Sequence, residues 1–219
     1  MKTLAFIVRR AGTTPDAFRN HYESVHAPLA LPLLDGLRRY VRHHVRNQIV
    51  GRAPFDCMTS FWWSPSTAFD ALMARLDSAA GAELRRDEES FMNRPEQESF
   101  PVAERATDAP EHRLAANLLI LVKRPPEAHL EEFTKGYEKQ SVPELISSAL
   151  RPRVCARDRA LFADHQEPCF DHVTALQCES NPAEHGILRA WAQPLAASGA
   201  RVVVIGVTEH ESEIPNRGD

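Results

Sequence analysis

Two stretches of the chain share one pattern and decide the expected fold: residues 18–34, FRNHYESVHAPLALPLL, and residues 133–150, FTKGYEKQSVPELISSAL. In each stretch a Phe is followed four residues later by a Tyr, and six residues after that by a Pro. The apolar residues recur at the spacing of an amphipathic helix. His26 lies just before the proline in the first stretch, and Ser141 takes this position in the second. The pattern predicts two equivalent helices, of which only the first carries an imidazole there.

The same shift of 115 positions, from Tyr22 to Tyr137, aligns a second pair of blocks without gaps. FDCMTSFWW from Phe55 falls on FDHVTALQC from Phe170, and the upstream runs LAFIVRR and LLILVKR match one residue out of step. Self-similarity at a fixed shift is the signature of repeated units. The sequence therefore predicts an internal duplication. The predicted divisions are a site-bearing half at 1–108, a degenerate scaffold half at 109–211 and a tail at 212–219.

Each predicted half reads as strand, helix, two strands, helix and strand. In the first half, the apolar run TLAFIVRR is a strand, Thr14 caps the next helix, and Pro15 takes its first position. This βαββαβ order is that of the ferredoxin-like unit. Its sheet has helices on one face only, so two such units can bury their open faces against each other. We therefore expect an α+β protein in which two fused ferredoxin-like βαββαβ repeats form an intrachain dimeric α+β barrel.

The composition is that of an ordinary globular protein and excludes several classes of partner. The 219 residues are 43% hydrophobic and 26% charged, with a formal net charge of −4 and no dense basic block. A nucleic-acid partner is therefore not expected. The opening MKTLAFIVRR is too short an apolar run for a signal peptide, and no apolar run is long enough to span a membrane. The sequence predicts a cytoplasmic protein.

No metal or cofactor motif stands out. The four cysteines form no CxxC pair and are expected to be buried free thiols. Adjacent His43 and His44 would point to opposite faces of a strand, which does not suit a shared metal ion. The sequence also lacks a glycine-rich phosphate loop and a GxSxG motif. Cofactor-free acid/base chemistry, with no metal, is the reading that remains.

Three residues of the first helix are candidates for that chemistry. On a regular helical wheel Tyr22 and Val25 share the buried stripe of Phe18, and His26 lies at its margin. Pro28 is expected to end the helix and to let His26 turn its ring toward a cavity. We expect His26 to act as general acid/base and Tyr22, four residues earlier, to donate to an oxyanion. His21 is a candidate substrate contact.

Two strands supply the other candidates. In RYVRHHVRN, alternation places Arg42 and His44 on one face and His43 on the other. The polar set is expected to line a cavity, with His44 as a catalytic residue and Arg42 as a substrate contact. Trp62 is expected to line the same pocket for an aromatic ring. Because the second half has Gln177 at the position matching Trp62, besides losing both helix histidines, it is expected to be a scaffold.

The runs FIVRRAGTTPDAFRNHYESVHAPLA, RRYVRHHV, FDCMTSFWW and RRDEESFMN resemble, in this order, the EthD-type domains of the dimeric α+β barrel superfamily. The resemblance covers about residues 2–107. It implies a ferredoxin-like barrel and, among superfamily members, cofactor-free cyclases and decarboxylases of polyketides, quinol monooxygenases and heme-handling enzymes. The His-Ala-Pro-Leu run at His26 is its most specific part.

The expected function is therefore a cofactor-independent enzyme that moves protons next to a carbonyl. It would act as a cyclase, dehydratase or decarboxylase on a small aromatic or polyketide-like molecule. Two alternatives stay open: a heme-handling or quinol-monooxygenase-like barrel, and a non-catalytic small-molecule binding or accessory protein. Assembly as a homodimer is a further open alternative.

Overall fold

The structure is a computed structural model that describes residues 1–105, 115–148, 150, 153–161, 167–178 and 182–214. The predicted boundary between residues 108 and 109 lies outside the described residues, as does the end of the predicted tail. The eight strands are β1 (Lys2–Ile7), β2 (Leu37–Val50), β3 (Cys57–Trp63), β4 (Glu98–Arg105), β5 (Leu118–Lys123), β6 (Arg153–Ala160), β7 (His172–Gln177) and β8 (Arg201–Ser212).

The helices follow the predicted alternation with the strands. The α-helical segments are α1 (Pro15–His21), α2 (Ala27–Ala30), α3 (Phe69–Asp77), α4 (Ala82–Phe91), α5 (Leu130–Gly136), α6 (Val142–Ile146) and α7 (Pro182–Ala197). Two π-helical turns lie between them, at Tyr22–His26 and at Tyr137–Ser141. Thr14 caps α1 through its side chain, and Pro15 follows at the first position, as predicted.

The strands form a closed antiparallel barrel in the order β1-β3-β2-β8-β5-β7-β6-β4. The strands of each half follow one another as fourth, first, third and second, which is the ferredoxin-like order. The α+β class is therefore confirmed. The pairing of the strands clarifies the offset of the upstream runs: Ile7 pairs with Cys57 and Val122 pairs with His172, so β1 and β5 are related by the shift of 115, although the letters of LAFIVRR and LLILVKR match at 114.

The chain divides into two compact units, which are described separately. Unit 1 comprises Met1–His44, Pro54–Pro101 and His210–Asp219, and unit 2 comprises Val45–Ala53 and Val102–Glu209. Strands β2, β4 and β8 each have one end in either unit. Each unit therefore consists of segments that are separate in the sequence.

In unit 1, an apolar core joins the helices to one face of the sheet. Its largest fully buried members include Phe18, Tyr22 and Tyr40. Arg9 links the end of β1 to the start of β3. Its backbone N–H and its guanidinium both donate to the Asp56 carboxylate, at 2.9 and 2.8 Å. This contact gives Asp56 the turn-stabilising role that its position before a strand suggests.

Unit 2 has its own core, in which Tyr137, Leu145 and Leu188 pack against the apolar strand β5. Arg124 makes the matching anchor here, because its backbone N–H and guanidinium donate to Asp171 at 2.7 Å each. Among the described residues, no helix is long and apolar enough to cross a membrane.

Candidate functional site

The π turn at Tyr22–His26 brings His26 into the core. The N–H of Ala27 donates to the carbonyl of Tyr22, five residues earlier, so the turn holds one residue more than an α-helical turn. Phe18, Tyr22 and His26 consequently share the buried stripe, and Val25 is 44% exposed. The predicted wheel is wrong at this point because it assumed a regular helix.

The helix does not end at Pro28, contrary to the prediction. It continues directly from the π turn into α2, in which Pro28 takes the second position. His26 therefore lies inside a continuous helical segment, with only 5% of its surface exposed. The π turn, rather than a helix break, sets the direction of its ring.

Asp87 of α4 holds both helix histidines. Its Oδ2 lies 2.9 Å from His26 Nδ1, and its Oδ1 lies 2.7 Å from His21 Nε2. The Asp87 and His26 side chains are both buried, whereas one third of the His21 side chain is exposed. The carboxylate selects the His26 tautomer with a proton on Nδ1, which leaves Nε2 as the basic nitrogen.

The environment of His26 keeps its ring neutral near pH 7. Burial lowers the pKa of His26 below its ordinary value, and the hydrogen bond and charge of Asp87 offset this only in part. Within the described residues, His26 Nε2 makes no hydrogen bond. A neutral imidazole with an available Nε2 can accept a proton from a bound molecule.

Tyr22 lies against His26, with ring centroids 4.9 Å apart in an edge-on contact. Its hydroxyl is fully buried, lies 3.0 Å from Thr59 Oγ1 and accepts a hydrogen bond from Tyr40 at 3.4 Å. Burial raises the pKa of Tyr22 well above its ordinary value. The hydroxyl is therefore engaged within the core, and the ring supports one side of His26.

The Glu23 carboxylate binds two polar side chains of β2. Arg42 donates to both its carboxylate oxygens, with the shortest contact at 2.6 Å, and His44 Nε2 lies 2.6 Å from Oε1. Burial alone would raise the pKa of Glu23, but the hydrogen bonds from His44 and Arg42 outweigh it and lower the pKa to about 2. Burial lowers the pKa of His44. The cluster combines a carboxylate, a guanidinium and a neutral imidazole.

The polar face of β2 does not have the place that the sequence suggested, because it packs against the helices. Tyr40, Arg42 and His44 face the helices, because Tyr22 and Glu23 on the π turn supply their polar partners. Trp62 lies on the opposite face of the sheet from this cluster. There the Lys2 ammonium and the Arg39 guanidinium lie 4.2 and 4.5 Å from its ring centroid.

The structure therefore brings five of the six predicted site residues together and leaves one apart. The five that surround Asp87 and Glu23 are His21, Tyr22, His26, Arg42 and His44. Trp62 does not join them. Sequence reasoning missed both carboxylates, although Glu23 recurs as Glu138 at the shift of 115 and Asp87 lies in the RRDEESFMN run.

The second half contains a buried imidazole, although it lacks both helix histidines. His172, at the position that matches Cys57, is buried against Tyr137 with ring centroids 4.7 Å apart. Its Nε2 lies 3.1 Å from Thr134 Oγ1. Across the described part of the chain, no group of three or more His, Cys, Asp or Glu residues is arranged to hold a metal ion.

Solved structures show the fold class. An anthrone oxidase-like protein matches with a TM-score of 0.60 and 12% identity, over 96% of this chain and 92% of that one. A chlorite dismutase-like protein matches with a TM-score of 0.50 and 7% identity, over 94% of each chain. A monooxygenase-like protein from Lactobacillus acidophilus has a TM-score of 0.49, at 11% identity over 95% of this chain and 94% of that one. At these identities the likeness shows the fold alone, a mixed α+β fold with an eight-stranded antiparallel barrel.

A family model matches a part of the first half. Residues 10–95 match the model of the EthD domain family. The match includes His26, Asp87 and Glu23. Among curated proteins, none matches the sequence.

Proposed function

We propose that the part of the chain that matches the EthD model holds a site where His26 moves a proton next to the carbonyl of a small aromatic molecule. One observation carries the proposal: His26 is a buried, neutral imidazole whose Nδ1 is held by Asp87 at 2.9 Å. A carboxylate in this position fixes the tautomer and orientation of the imidazole and stabilises the imidazolium that forms when Nε2 takes a proton.

The reaction begins when His26 Nε2 takes a proton from a carbon that is next to the carbonyl or conjugated with it through an aromatic ring. The C–H bond breaks, its electron pair passes into the enolate, and the proton rests on Nε2. In a cyclisation the enolate carbon bonds to a second carbonyl carbon of the substrate, and the alkoxide that forms takes the proton from Nε2. In a dehydration the C–O bond of a hydroxyl group on the next carbon breaks, and the leaving oxygen takes the proton to give water. In a decarboxylation the C–C bond to the carboxylate breaks, carbon dioxide leaves, and the enolate that remains is protonated on carbon by an imidazolium. Asp87 stabilises the imidazolium between these steps.

The other predicted residues act around His26. Tyr22 supports the ring from one side, and its hydroxyl is bonded to Thr59, so we assign it to positioning. Arg42 and His44 hold Glu23 and thereby fix the π turn that carries His26. His21, with one third of its side chain exposed, is the substrate contact beside Asp87.

The expected substrate is an aromatic ketone with an acidic C–H bond. The similarity to an anthrone oxidase-like protein supports this class. In an anthrone the carbonyl, acting through the aromatic rings, acidifies the opposite CH₂ group, and loss of a proton gives an electron-rich enolate. An enolate of this kind is also the shared first species of cyclisation and dehydration, so the proposal rests on the proton transfer alone.

The test is exchange of the acidic hydrogen in D₂O, followed by NMR with anthrone and simpler aryl ketones as probes. We expect the protein to accelerate deuterium uptake, and His26→Gln to lower this acceleration by about 10²–10⁴. Ser141→Ala, at the matching place in the second half, is the control and should leave it unchanged. Equal exchange by His26→Gln would contradict the proposal.

The same samples separate the alternative functions. A Soret band on addition of hemin, lost in a histidine variant, would favour a heme-handling barrel. Saturable binding of the ketone without deuterium uptake would favour a binding or accessory protein.

We also propose that the two halves derive from an internal duplication. The support is a set of contacts related by one shift of 115: Arg9–Asp56 with Arg124–Asp171, and Tyr22–Thr59 with Tyr137–Thr174. Both halves also have a π turn at the matching place. Because the second π turn ends in Ser141, the proton-transfer site belongs to the first half only.

A further inference from the structure

Two imidazoles of unit 1 share the Asp87 carboxylate. Its Oδ2 lies 2.9 Å from Nδ1 of His26, and its Oδ1 lies 2.7 Å from Nε2 of His21. Each carboxylate oxygen therefore has one imidazole nitrogen as a partner. When both rings are neutral, each can donate one N–H to the carboxylate. The two rings are then linked through a single negative charge.

The two imidazoles differ in their access to water. The His26 side chain is 6% exposed, and the His21 side chain is 33% exposed. A charge in the core is costly because burial removes the water that would hydrate it. A charge on His21 is therefore hydrated in part, whereas a charge on His26 depends mainly on Asp87 for its stabilisation.

Phe91 of α4 packs against both rings. Its ring centroid lies 4.5 Å from that of His21 and 5.2 Å from that of His26. Phe91 follows Asp87 by four positions, so both residues lie on the same side of α4. One side of this helix therefore supplies the shared carboxylate and the aromatic ring that supports the two imidazoles.

A charge on His21 makes a proton on His26 less stable. A protonated His21 forms an ion pair with Asp87, so less of the negative charge of the carboxylate is left for His26. Burial is the main cause of the lowered pKa of His26, and the charge of His21 lowers this pKa further. His26 is therefore a weaker base when His21 is charged.

The polar groups of the π turn and of β2 keep their charge states near pH 7. Arg42 is positive and also lowers the pKa of His26. Hydrogen bonds from His44 and Arg42 outweigh the burial of Glu23 and lower its pKa to about 2. Burial lowers the pKa of His44 and raises that of Tyr22 well above its ordinary value. These groups therefore do not produce a change at His26 near neutral pH.

Two further ion pairs lie on the neighbouring helices. On α1, Asp16 accepts from Arg19 at 3.0 Å. On α4, the Glu88 carboxylate lies 3.3 Å from Arg94, and burial raises the pKa of Glu88. Glu88 can therefore titrate in the acid range and needs a control of its own. Loss of its negative charge would lower the pKa of His26, because a nearby anion favours the protonated ring.

We propose that His21 is a positioning residue that sets the base strength of His26 through the shared Asp87 carboxylate. The site is the strongest base while His21 is neutral, and protonation of this partly exposed ring from solvent weakens it. This role adds to the contact with the substrate. The inference rests on the proposed proton transfer, but the coupling between the two rings can be measured without a substrate.

The test is a ¹⁵N NMR titration of the His26 ring in the full chain, in the wild type, His21→Gln and His21→Lys. The glutamine keeps a neutral N–H donor for Asp87, whereas the lysine is charged throughout the titration. We expect the pKa of His26 to be higher in His21→Gln than in His21→Lys by about 0.5 or more, with the wild type between them. Glu88→Gln is the control and should not raise it.

The wild type alone decides the matter if the variants fold poorly. Its His26 signals should follow two pH-dependent steps, one of which coincides with the titration of His21, because the two sites are coupled. A single step that is unaffected by His21, or the same pKa of His26 in both His21 variants, would overturn the inference.

Deuterium exchange of the ketone at pH 7 links the coupling to the reaction. His21→Lys should exchange about threefold to tenfold more slowly than His21→Gln, because a weaker base takes the proton more slowly. Both variants lack the imidazole of His21, so this comparison does not depend on its contact with the substrate. Equal exchange rates would overturn the inference for catalysis. Coupled titration without any exchange in the wild type would instead overturn the proposed function.

Discussion

His26 and Asp87 are joined by a hydrogen bond of 2.9 Å between Nδ1 and Oδ2, although 61 positions separate them in the sequence. The contact links the π turn to α4, and the second oxygen of the carboxylate lies 2.7 Å from His21. One carboxylate therefore orients a buried imidazole and a partly exposed one. This arrangement places a buried imidazole with a fixed tautomer beside a residue that solvent can reach.

Asp87→Asn should remove the basic nitrogen without removing the ring. The amide can donate to Nδ1, which would favour the tautomer with the proton on Nε2. We expect ketone deuterium exchange to fall by about 10²–10⁴ while the fold is kept. Asp16→Asn, an exposed change on α1, is the matched control. Exchange at the wild-type rate in Asp87→Asn would show that Asp87 does not set the tautomer.

Tyr22→Phe should reduce stability more than activity. The change removes the hydroxyl that lies 3.0 Å from Thr59 but keeps the ring beside His26. We expect a loss of about 1–2 kcal/mol in the free energy of unfolding, with deuterium exchange within about tenfold of the wild type. Denaturant unfolding and the exchange assay measure the two effects.

Tyr137→Phe is the control for this change, because Tyr137 makes the matching contact with Thr174 at 3.2 Å. A similar loss of stability in both variants would indicate that both hydroxyls serve only to stabilise the core. A far larger loss of exchange in Tyr22→Phe would instead assign its hydroxyl to catalysis.

Arg42→Met should destabilise the protein because it leaves the Glu23 carboxylate without its guanidinium partner. We expect a loss of about 2–3 kcal/mol, since removal of one partner from a buried ion pair is costly and Glu23 remains partly exposed. The double variant with Glu23→Gln should recover much of this loss. Urea unfolding of the wild type, both single variants and the double variant would measure the coupling. Additive losses would mean that the pair is not coupled.

Because of His172, the free energy of unfolding should decrease at acidic pH. Burial lowers its pKa to about 4 in the folded chain, below the ordinary value of 6.5, so the unfolded chain binds more protons between these values. The neutral His172 ring costs the fold nothing above about pH 6.5. As the pH falls toward 4, the free energy of unfolding falls by at most about 3 kcal/mol, because the unfolded chain takes up the proton more readily. Stability of His172→Gln, measured between pH 7 and 4, should fall less steeply. An unchanged slope would refute this assignment.

The order of the elements could be predicted from the sequence because it depends on local patterns. The cap at Thr14 and Pro15 and the apolar run of β1 each specify one element without reference to the rest of the chain. The repeat then extends the prediction to the second half. The faces of β2 could not be assigned in this way, since Arg42 and His44 are buried by Glu23, a partner that alternation does not reveal.

The site was predicted only in part because the π turn changes the helical register. A regular wheel buries Val25 and leaves His26 at the margin, whereas one extra residue in the turn exposes Val25 and buries His26. Asp87 was missed for a different reason. Its role depends on how α4 packs against the π turn, and no spacing along the chain encodes that contact.

His26 is expected to be neutral at pH 7 with its proton on Nδ1, and a ¹⁵N NMR titration of its imidazole measures this most directly. We expect the Nδ1–H tautomer and a pKa below 6.5, because burial outweighs the charge of Asp87. Comparison with a His26→Gln sample would assign the signals. A His26 ring that is protonated at pH 7, or that carries its single proton on Nε2, would contradict the account.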